Sequence, residues 1–529
     1  MKKFIVLLFV FLIAALFRVW NLGGVPHGFH SDEVVAGYEG TFLLKNHTDT
    51  YGNSLPIYFD KFGDFRPIGT FYLSGISNLL LGNSVFATRF AAAFFGALTS
   101  VVVYFLFLEV AGAEKKRGAL FAAFVVSVLP WHVVLSRSTQ ESIIGILTIS
   151  LGLVFLFRKK IWLSALLFFA SYFLYTAHRI LVPLVLASAL LDFWVSGKKE
   201  LFRKTLYLTV VFIILSALVL STKWGRSRGV QILIFNDPNV YTVGQDLAHG
   251  DGPGNVLVAR VFHNKAVILT RFAVSQYLSY FSPDFLFVHG GLPDRYHIPE
   301  QGLLYFSLTP FILFGFVEVL KRRKYLPLIL FFVTPLLATF TMDDVPNMNR
   351  VSFMIVPIVI FAGFGLEKLL STKVNKVLKY GFFGFVSLLL FLEIAYFSHE
   401  YFVHESQHKS FFRNDTYGQV GLYIAKNRSK YKKVYIVNTD DMPIYVWFFA
   451  NNYDKNIRYP MNEKVDIFEW ENMVFIRTDC LKDRISKFDL SDSLIVDGGD
   501  CQAMDGFTQQ AAWVRGDSTK SFRALSNLK

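Results

Sequence analysis

Eleven long apolar runs occupy half of the first 397 residues, at about 4–20, 85–111, 118–135, 142–157, 161–177, 180–195, 205–221, 302–320, 326–341, 351–367 and 380–397. A membrane span needs roughly 20 apolar residues, with about 17 to 25 tolerated. Within a bilayer each backbone N–H and C=O must be satisfied inside the segment, which leaves helices for runs of this kind. The chain is therefore expected to be a polytopic α-helical membrane protein with about 11 transmembrane helices. The composition points the same way: 53% of the 529 residues are hydrophobic, 18% are charged, and 57 are Phe. An ordinary soluble enzyme is excluded.

The formal net charge of +13 raises the question of nucleic acid, and its distribution answers it. From Ser398 onward there are 18 Lys and Arg against 18 Asp and Glu, so the excess lies in the apolar part. There it gathers in short loops: Lys2-Lys3, Lys115–Arg117, Arg158–Lys160, Lys198–Lys204, Lys321–Lys324 and Lys368–Lys379. Clusters in alternate loops are topology signals of the positive-inside kind, whereas a nucleic-acid face needs its charge on one folded surface. The alternation puts the N-terminus in the cytoplasm and, after eleven spans, the C-terminal tail outside. The first run follows Met-Lys-Lys like a signal peptide, but WNLGGVPHG offers no small-x-small cleavage site, so an uncleaved anchor is expected.

Three outer regions are large. In the first, about 21–84, VVAGYEGTFLLKN and FYLSGISNLLL have helical apolar spacing and are too short or too polar to span. They are read as helices lying in the membrane interface. The second, about 222–301, is rich in Gly, Pro, Asp and His; it is read as loops with short helices, one of them over about 259–281. The third is the tail, 398–529, where KKVYIVNT, NMVFIRTD and DSLIVDGG read as short strands and TYGQVGLYIAKNRSK as a helix. The division is thus 1–397 for the transmembrane domain and 398–529 for a small extracytoplasmic α/β domain. Cys480 and Cys501 both fall in that tail; outside the cytoplasm a disulfide is one reading, two unpaired thiols the other.

Chemistry concentrates between Pro26 and Pro67, where a membrane chain carries Asp32-Glu33, Asp60-Lys61 and Asp64-Phe65-Arg66. An acidic pair after Ser31 also suits a helix N-terminus capped by that serine. What argues for more is its company at outer span ends: Lys61, Asp64, Arg66, Arg89, Arg137, Glu141, His178, Arg179 and Arg350. Charges at the hydrocarbon edge are costly unless paired or employed, and arginine forks match phosphate oxygens. A carboxylate can take the proton of an acceptor hydroxyl as that hydroxyl attacks an anomeric carbon. Cations can stabilise the lipid phosphate that leaves. Such a single displacement inverts the anomeric configuration.

The text PHGFHSDEVVAGYEG, DTYGNSLPIYFDKFGDFRPIGTFYL and LLGNSVFATRFAAAFFGALTSVVVYFL resembles the GT-C glycosyltransferases. The likeness is to the protein O-mannosyltransferase and lipid A aminoarabinose transferase branch, with the bacterial RgtA/B/C/D-like enzymes, and it is strongest over 15–200. The resemblance implies a polyprenyl-phosphate-sugar donor and a lipid, glycan or protein acceptor at the outer face of the cell membrane. By it Asp32 matches the catalytic aspartate and Glu33 its acidic neighbour. Arg66 before Pro67 matches a basic residue that contacts the lipid phosphate, with Lys61 beside it. Arg137 and Glu141 in SRSTQES match a second outer cluster near the donor, and Arg350 in PNMNRVSFMIVP a basic residue before a late span. Relatives often have Glu-Lys-Pro where this chain has Phe65-Arg66-Pro67, so the carboxylate role there passes to Asp64. His178 and Arg179 complete the candidate set.

His27 and His30 flank the acidic pair, and with Asp32 they offer a divalent-cation site; the reading favours polar interface residues and leaves the need for a metal open. Two other classes are open. A transporter or lipid flippase would place polar residues at mid-membrane in repeated halves, and no repeat is evident here. A surface-glycan polymerase or ligase would share the architecture. The sugar, the acceptor and the role of the tail are not encoded legibly.

Overall fold

The computed structural model describes the chain except for residues 1, 62, 139–140, 253–254, 440, 460–464, 486–487 and 528–529. Its internal contacts divide into two compact units. The first comprises 1–18, 95–136 and 141–397; the second comprises 19–94, 137–140 and 398–529.

The first unit is helical, and a helix stands at the place of each apolar run expected within it. Among the described residues of the whole chain, five helices are long and apolar enough to cross a membrane: Val85–Ala111, His178–Val195, Lys199–Ser221, Ser352–Ser371 and Lys376–Gln407. A sixth candidate is the pair Lys116–Val128 and Pro130–Ser136, bent by 54°. Pro130 sets the break, because proline carries no N–H to continue the ladder. Arg18, fully buried, donates to the freed carbonyls of Val126 (2.9 Å) and Ser127 (2.7 Å). Shorter apolar helices are Ile5–Val19, Glu141–Phe157, Ile161–Ser171 and Tyr325–Thr339. The helix expected over 259–281 is two, Val256–Phe262 and Lys265–Ser279, because Asn264 caps the second by accepting from Ala266 N and Val267 N.

The second unit is α/β. Strands β1 (Tyr58–Lys61) and β2 (Asp64–Pro67) form an antiparallel hairpin. The tail holds β3 (Lys433–Val437), β4 (Ile467–Trp470), β5 (Met473–Ile476), β6 (Ser493–Gly498), β7 (Thr508–Val514) and β8 (Lys520–Ser526) in one sheet of order β4-β5-β3-β6-β8-β7. β3 runs parallel to both β5 and β6, and the other pairings are antiparallel. The three strands and the helix (Tyr417–Asn427) expected from sequence are present, and β4, β7 and β8 are additional. Cys480 and Cys501 form a disulfide.

The helix Ser31–Asn46 departs from the expected interfacial helix. Every residue from Glu33 to Leu43 is buried, so it has no lipid face. One side lies against Gly69–Leu81, where a Cβ on Gly40 would fall 1.9 Å from the Phe71 carbonyl oxygen and one on Gly75 would fall 2.3 Å from Gly40. Only glycine permits that approach of two backbones. On another side, Phe29, Tyr38 and Phe42 belong to one hydrophobic core with Tyr445, Trp447, Phe448 and the strands of the tail. Gly69–Leu81 buries its small polar residues and leaves Ile76, Leu79, Leu80 and Leu81 exposed, as an interfacial helix does.

Candidate active site

Asp32 stands in the first turn of Ser31–Asn46. The cap is His30 rather than Ser31: His30 Nδ1 accepts from Asp32 N (3.1 Å), and the Glu33 carboxylate accepts from His30 N (3.1 Å). His30 Nδ1 also lies 3.7 Å from Asp32 Oδ2. Ser31 N donates instead to Asn414 Oδ1 (3.0 Å). The Asp32 side chain is 24% exposed.

The β1–β2 hairpin faces it. Lys61 pairs with Asp64 and Phe59 with Arg66, so all four side chains share one face. Gly63, at φ +80°, turns the chain between the strands. Arg66 donates to Asp32 Oδ1 from a terminal nitrogen (2.8 Å) and to Asp64 Oδ2 from Nε (3.0 Å). Lys61 Nζ lies 3.2 Å from Asp32 Oδ1, 3.4 Å from Ser31 Oγ and 3.1 Å from Asp441 Oδ2. Three carboxylates and two cations thus form a chain of ion pairs centred on Asp32.

Asp441 was not legible as a site residue. It follows β3 and precedes the helix Met442–Phe449, in a left-handed conformation (φ +63°) that Asp tolerates. β3 has parallel neighbours on both sides, so this is the carboxyl end of a strand where the sheet order reverses. Open α/β sheets bind ligands there. An Asp a few residues beyond KVYIV was the available signal.

The other expected residues have different partners. Glu33 receives a two-pronged ion pair from Arg89 (2.8 and 2.9 Å), with both side chains buried. Arg89 also donates to the carbonyls of Leu22, Pro26 and Gly28. Arg137, fully buried, donates to the carbonyls of Trp20 (2.8 Å), Asn21 (3.3 Å) and Val25 (2.8 Å) and lies over the Phe402 ring. His27 Nε2 is 3.0 Å from Asp415, and the His27 backbone N–H donates to the Glu405 carboxylate.

Four expected residues belong to the first unit. His178 Nδ1 hydrogen-bonds the Ser171 carbonyl (2.9 Å), and its ring lies over Gly145. Arg179 donates to the Gly225 carbonyl (2.9 Å). Arg350 is held by Thr341 Oγ1 (2.7 Å) and by Asp343, through the carbonyl (2.8 Å) and the carboxylate (2.6 Å). Glu141 opens its helix, where a carboxylate suits the dipole; the preceding Thr139 and Gln140 of SRSTQES lie outside the described residues.

No protein-family model and no curated protein matches the chain in sequence. Solved structures do match in fold. The aminoarabinose transferase ArnT from Cupriavidus metallidurans in the apo state has a TM-score of 0.53 at 12% identity, covering 98% of this chain and 98% of that one. The same protein bound to undecaprenyl phosphate gives 0.51 at 12% identity over 100% and 97%. The archaeal oligosaccharyltransferase AglB from Archaeoglobus fulgidus, in complex with an inhibitory peptide and a dolichol-phosphate, gives 0.51 at 14% identity. That match covers 87% of this chain, which spans 65% of the length of AglB. The chain has the GT-C glycosyltransferase fold of these membrane proteins.

Proposed function

We propose that the chain is an inverting glycosyltransferase that moves a sugar from a polyprenyl-phosphate donor to an acceptor hydroxyl at the outer face of the cell membrane. The observation that carries the proposal is Asp32: a partly exposed carboxylate with Lys61 and Arg66 both on its Oδ1. The fold likeness to structures holding undecaprenyl phosphate and dolichol-phosphate supports a lipid-phosphate donor.

In this reading Asp32 takes the proton of the acceptor hydroxyl, and the oxygen forms a bond to the anomeric carbon. The bond from that carbon to the phosphate oxygen breaks, and the lipid phosphate leaves with the electron pair. Lys61 and Arg66 neutralise the charge that develops on it. Both cations are already oriented by carboxylates, so little reorganisation accompanies the step. Asp64 holds Arg66 rather than acting as a base. Glu33, through Arg89, and Arg137 fix the backbone around the helix start and are positioning residues.

The alternating basic loops support about eleven spans with a cytoplasmic N-terminus. The disulfide supports an extracytoplasmic tail, since such bonds persist in oxidising compartments. Purified protein in detergent would be offered a panel of radiolabelled polyprenyl-phosphate sugars with membrane extract as acceptor. Wild type is expected to transfer label, and Asp32→Asn to lose on the order of a hundredfold or more in rate while melting normally. Full activity in Asp32→Asn sinks the assignment of the base. Lipid flux in proteoliposomes without transfer would favour a transporter.

A further inference from the structure

We infer that Asp441 is a positioning residue of this site, the tail's carboxylate that holds Lys61 in place beside Asp32; the inference rests on the glycosyl-transfer reading above. Each cation that touches Asp32 is gripped from behind by a second carboxylate. For Arg66 it is Asp64, two residues away on the same strand face. For Lys61 it is Asp441, which arrives from the far end of the sequence.

Lys61 needs such a partner more than Arg66 does. Its ammonium sits on a flexible four-carbon stem, whereas the guanidinium is planar and pre-organised. The Lys61 side chain is only 8% exposed, and its three donors are matched by Ser31, Asp32 and Asp441. Without Asp441 the ammonium would have Asp32 as its one carboxylate and would no longer be held between two.

Asp441 is itself fixed. Its side chain is 3% exposed, and its carbonyl opens the helix Met442–Phe449 by accepting from Ile444 N. That helix is tied to the loop just before Asp32, since Tyr445 Oη donates to the Phe29 carbonyl (2.6 Å). Asn83 Nδ2 donates to the Phe448 carbonyl (2.6 Å) and ties its other end. The tail thus sets the geometry of the catalytic centre.

Charge gives the role a distinctive signature. Asp441 adds a negative charge 3.1 Å from a cation assigned to the donor phosphate, so removing it cannot weaken the attraction for that phosphate. A residue needed for donor binding or folding would raise the donor KM when lost. A residue that only positions Lys61 would lower kcat alone.

The test uses the full-length protein in detergent, with Asp441→Asn, Asp441→Glu, Lys61→Met and the Lys61→Met/Asp441→Asn double variant. Transfer kinetics are measured with a donor the wild type turns over, and binding is measured with undecaprenyl phosphate. Asp441→Asn is expected to lower kcat about tenfold or more, the scale of a misplaced catalytic group, with donor KM and lipid binding unchanged or tighter. Asp441→Glu should be intermediate, and in the Lys61→Met background Asp441→Asn should cost less than about twofold, because the two act as a unit. A wild-type kcat in Asp441→Asn, a matching rise in donor KM, or a full additive loss in the Lys61→Met background would overturn the inference. If Asp441→Asn does not fold, Asp441→Glu carries the test, and a wild-type kcat there overturns it equally. A wild type that neither binds undecaprenyl phosphate nor turns over any donor would remove the glycosyl-transfer reading itself, and Asp441 with it.

Discussion

Arg89→Met separates a structural Glu33 from a catalytic one. The Arg89 guanidinium donates twice to Glu33 and once each to the carbonyls of Leu22 (3.2 Å), Pro26 (2.9 Å) and Gly28 (2.8 Å). The side chains of Arg89 and Glu33 are 1% and 6% exposed. Deleting one partner of a buried pair costs about 3–5 kcal/mol, because the other charge stays behind uncompensated. Each carbonyl left dry adds about 1–3 kcal/mol, less where water enters. Domain stabilities are only about 5–15 kcal/mol, so the substitution should be felt globally. At about 2–4 °C per kcal/mol for a domain of about 150–250 residues, the ion term alone lowers the melting midpoint by about 6–20 °C. Glu33→Gln added to Arg89→Met removes the orphaned charge, and the double variant should melt above the single one. The assay is thermal unfolding of the purified variants in one detergent, with transfer activity per folded molecule alongside. An Arg89→Met variant that melts within about 2 °C of wild type, or a double variant below the single one, would refute the structural assignment of Glu33.

Two further outcomes follow from groups outside the candidate spans. Glu39 is fully buried, and desolvation pushes its carboxyl up to about 8, against the hydrogen bonds from Thr50 and with the charge of Asp49 adding to the rise. Its folded value lies above the ordinary 4.5, so the folded state keeps a proton that the unfolded chain loses. Stability from this group therefore falls as pH rises from about 4.5 to about 8. Glu39→Gln should flatten the fall in melting midpoint between pH 5.5 and 8, and an unchanged slope counts against the buried neutral carboxyl. Gly40→Ala places a methyl 1.9 Å from the Phe71 carbonyl oxygen, where neither backbone can yield. It should cost about 1–3 kcal/mol or more, read as lost folded protein in fluorescence-detected size exclusion, while Gly250→Ala, which meets nothing within 4 Å, should behave as wild type.

The sequence located elements better than partnerships. Apolar runs place helices because burial in lipid demands them, and the strands of the tail core show in KVYIV, MVFI and SLIVDG. β7, TQQAAWV, carries no such pattern because most of its side chains are exposed, and only its ladder to β8 makes it a strand. Among the charges, letters alone made Arg66, Arg89, Arg137 and Arg179 equivalent. Exposure separates them: Arg66 is a quarter exposed, whereas the other three are at most 1% exposed and each donates to at least one backbone carbonyl. A buried arginine that closes a loop and a reachable one that meets a ligand are the same letter. What differs is set by contacts between residues well separated in sequence, such as Arg137 with Trp20 and Arg66 with Asp32.

The same reasoning explains why so polar a constellation can be held at the edge of an apolar chain. Three carboxylates and two cations repay their desolvation only when the geometry is fixed and the remaining donors are satisfied. Asp32 sits on a helix buried all round, and Lys61 and Arg66 sit on a hairpin whose Phe59 is anchored in the same core. Asp441 comes from the turn after a central strand. Each charge is thus mounted on an element whose position is set by packing, which is what a site needs if it is to hold its geometry while a lipid comes and goes. Loops alone would let these pairs rearrange. On the proposed reading, the tail belongs with the site because it supplies the wall against which the hairpin of β1 and β2 and the helix Ser31–Asn46 are packed.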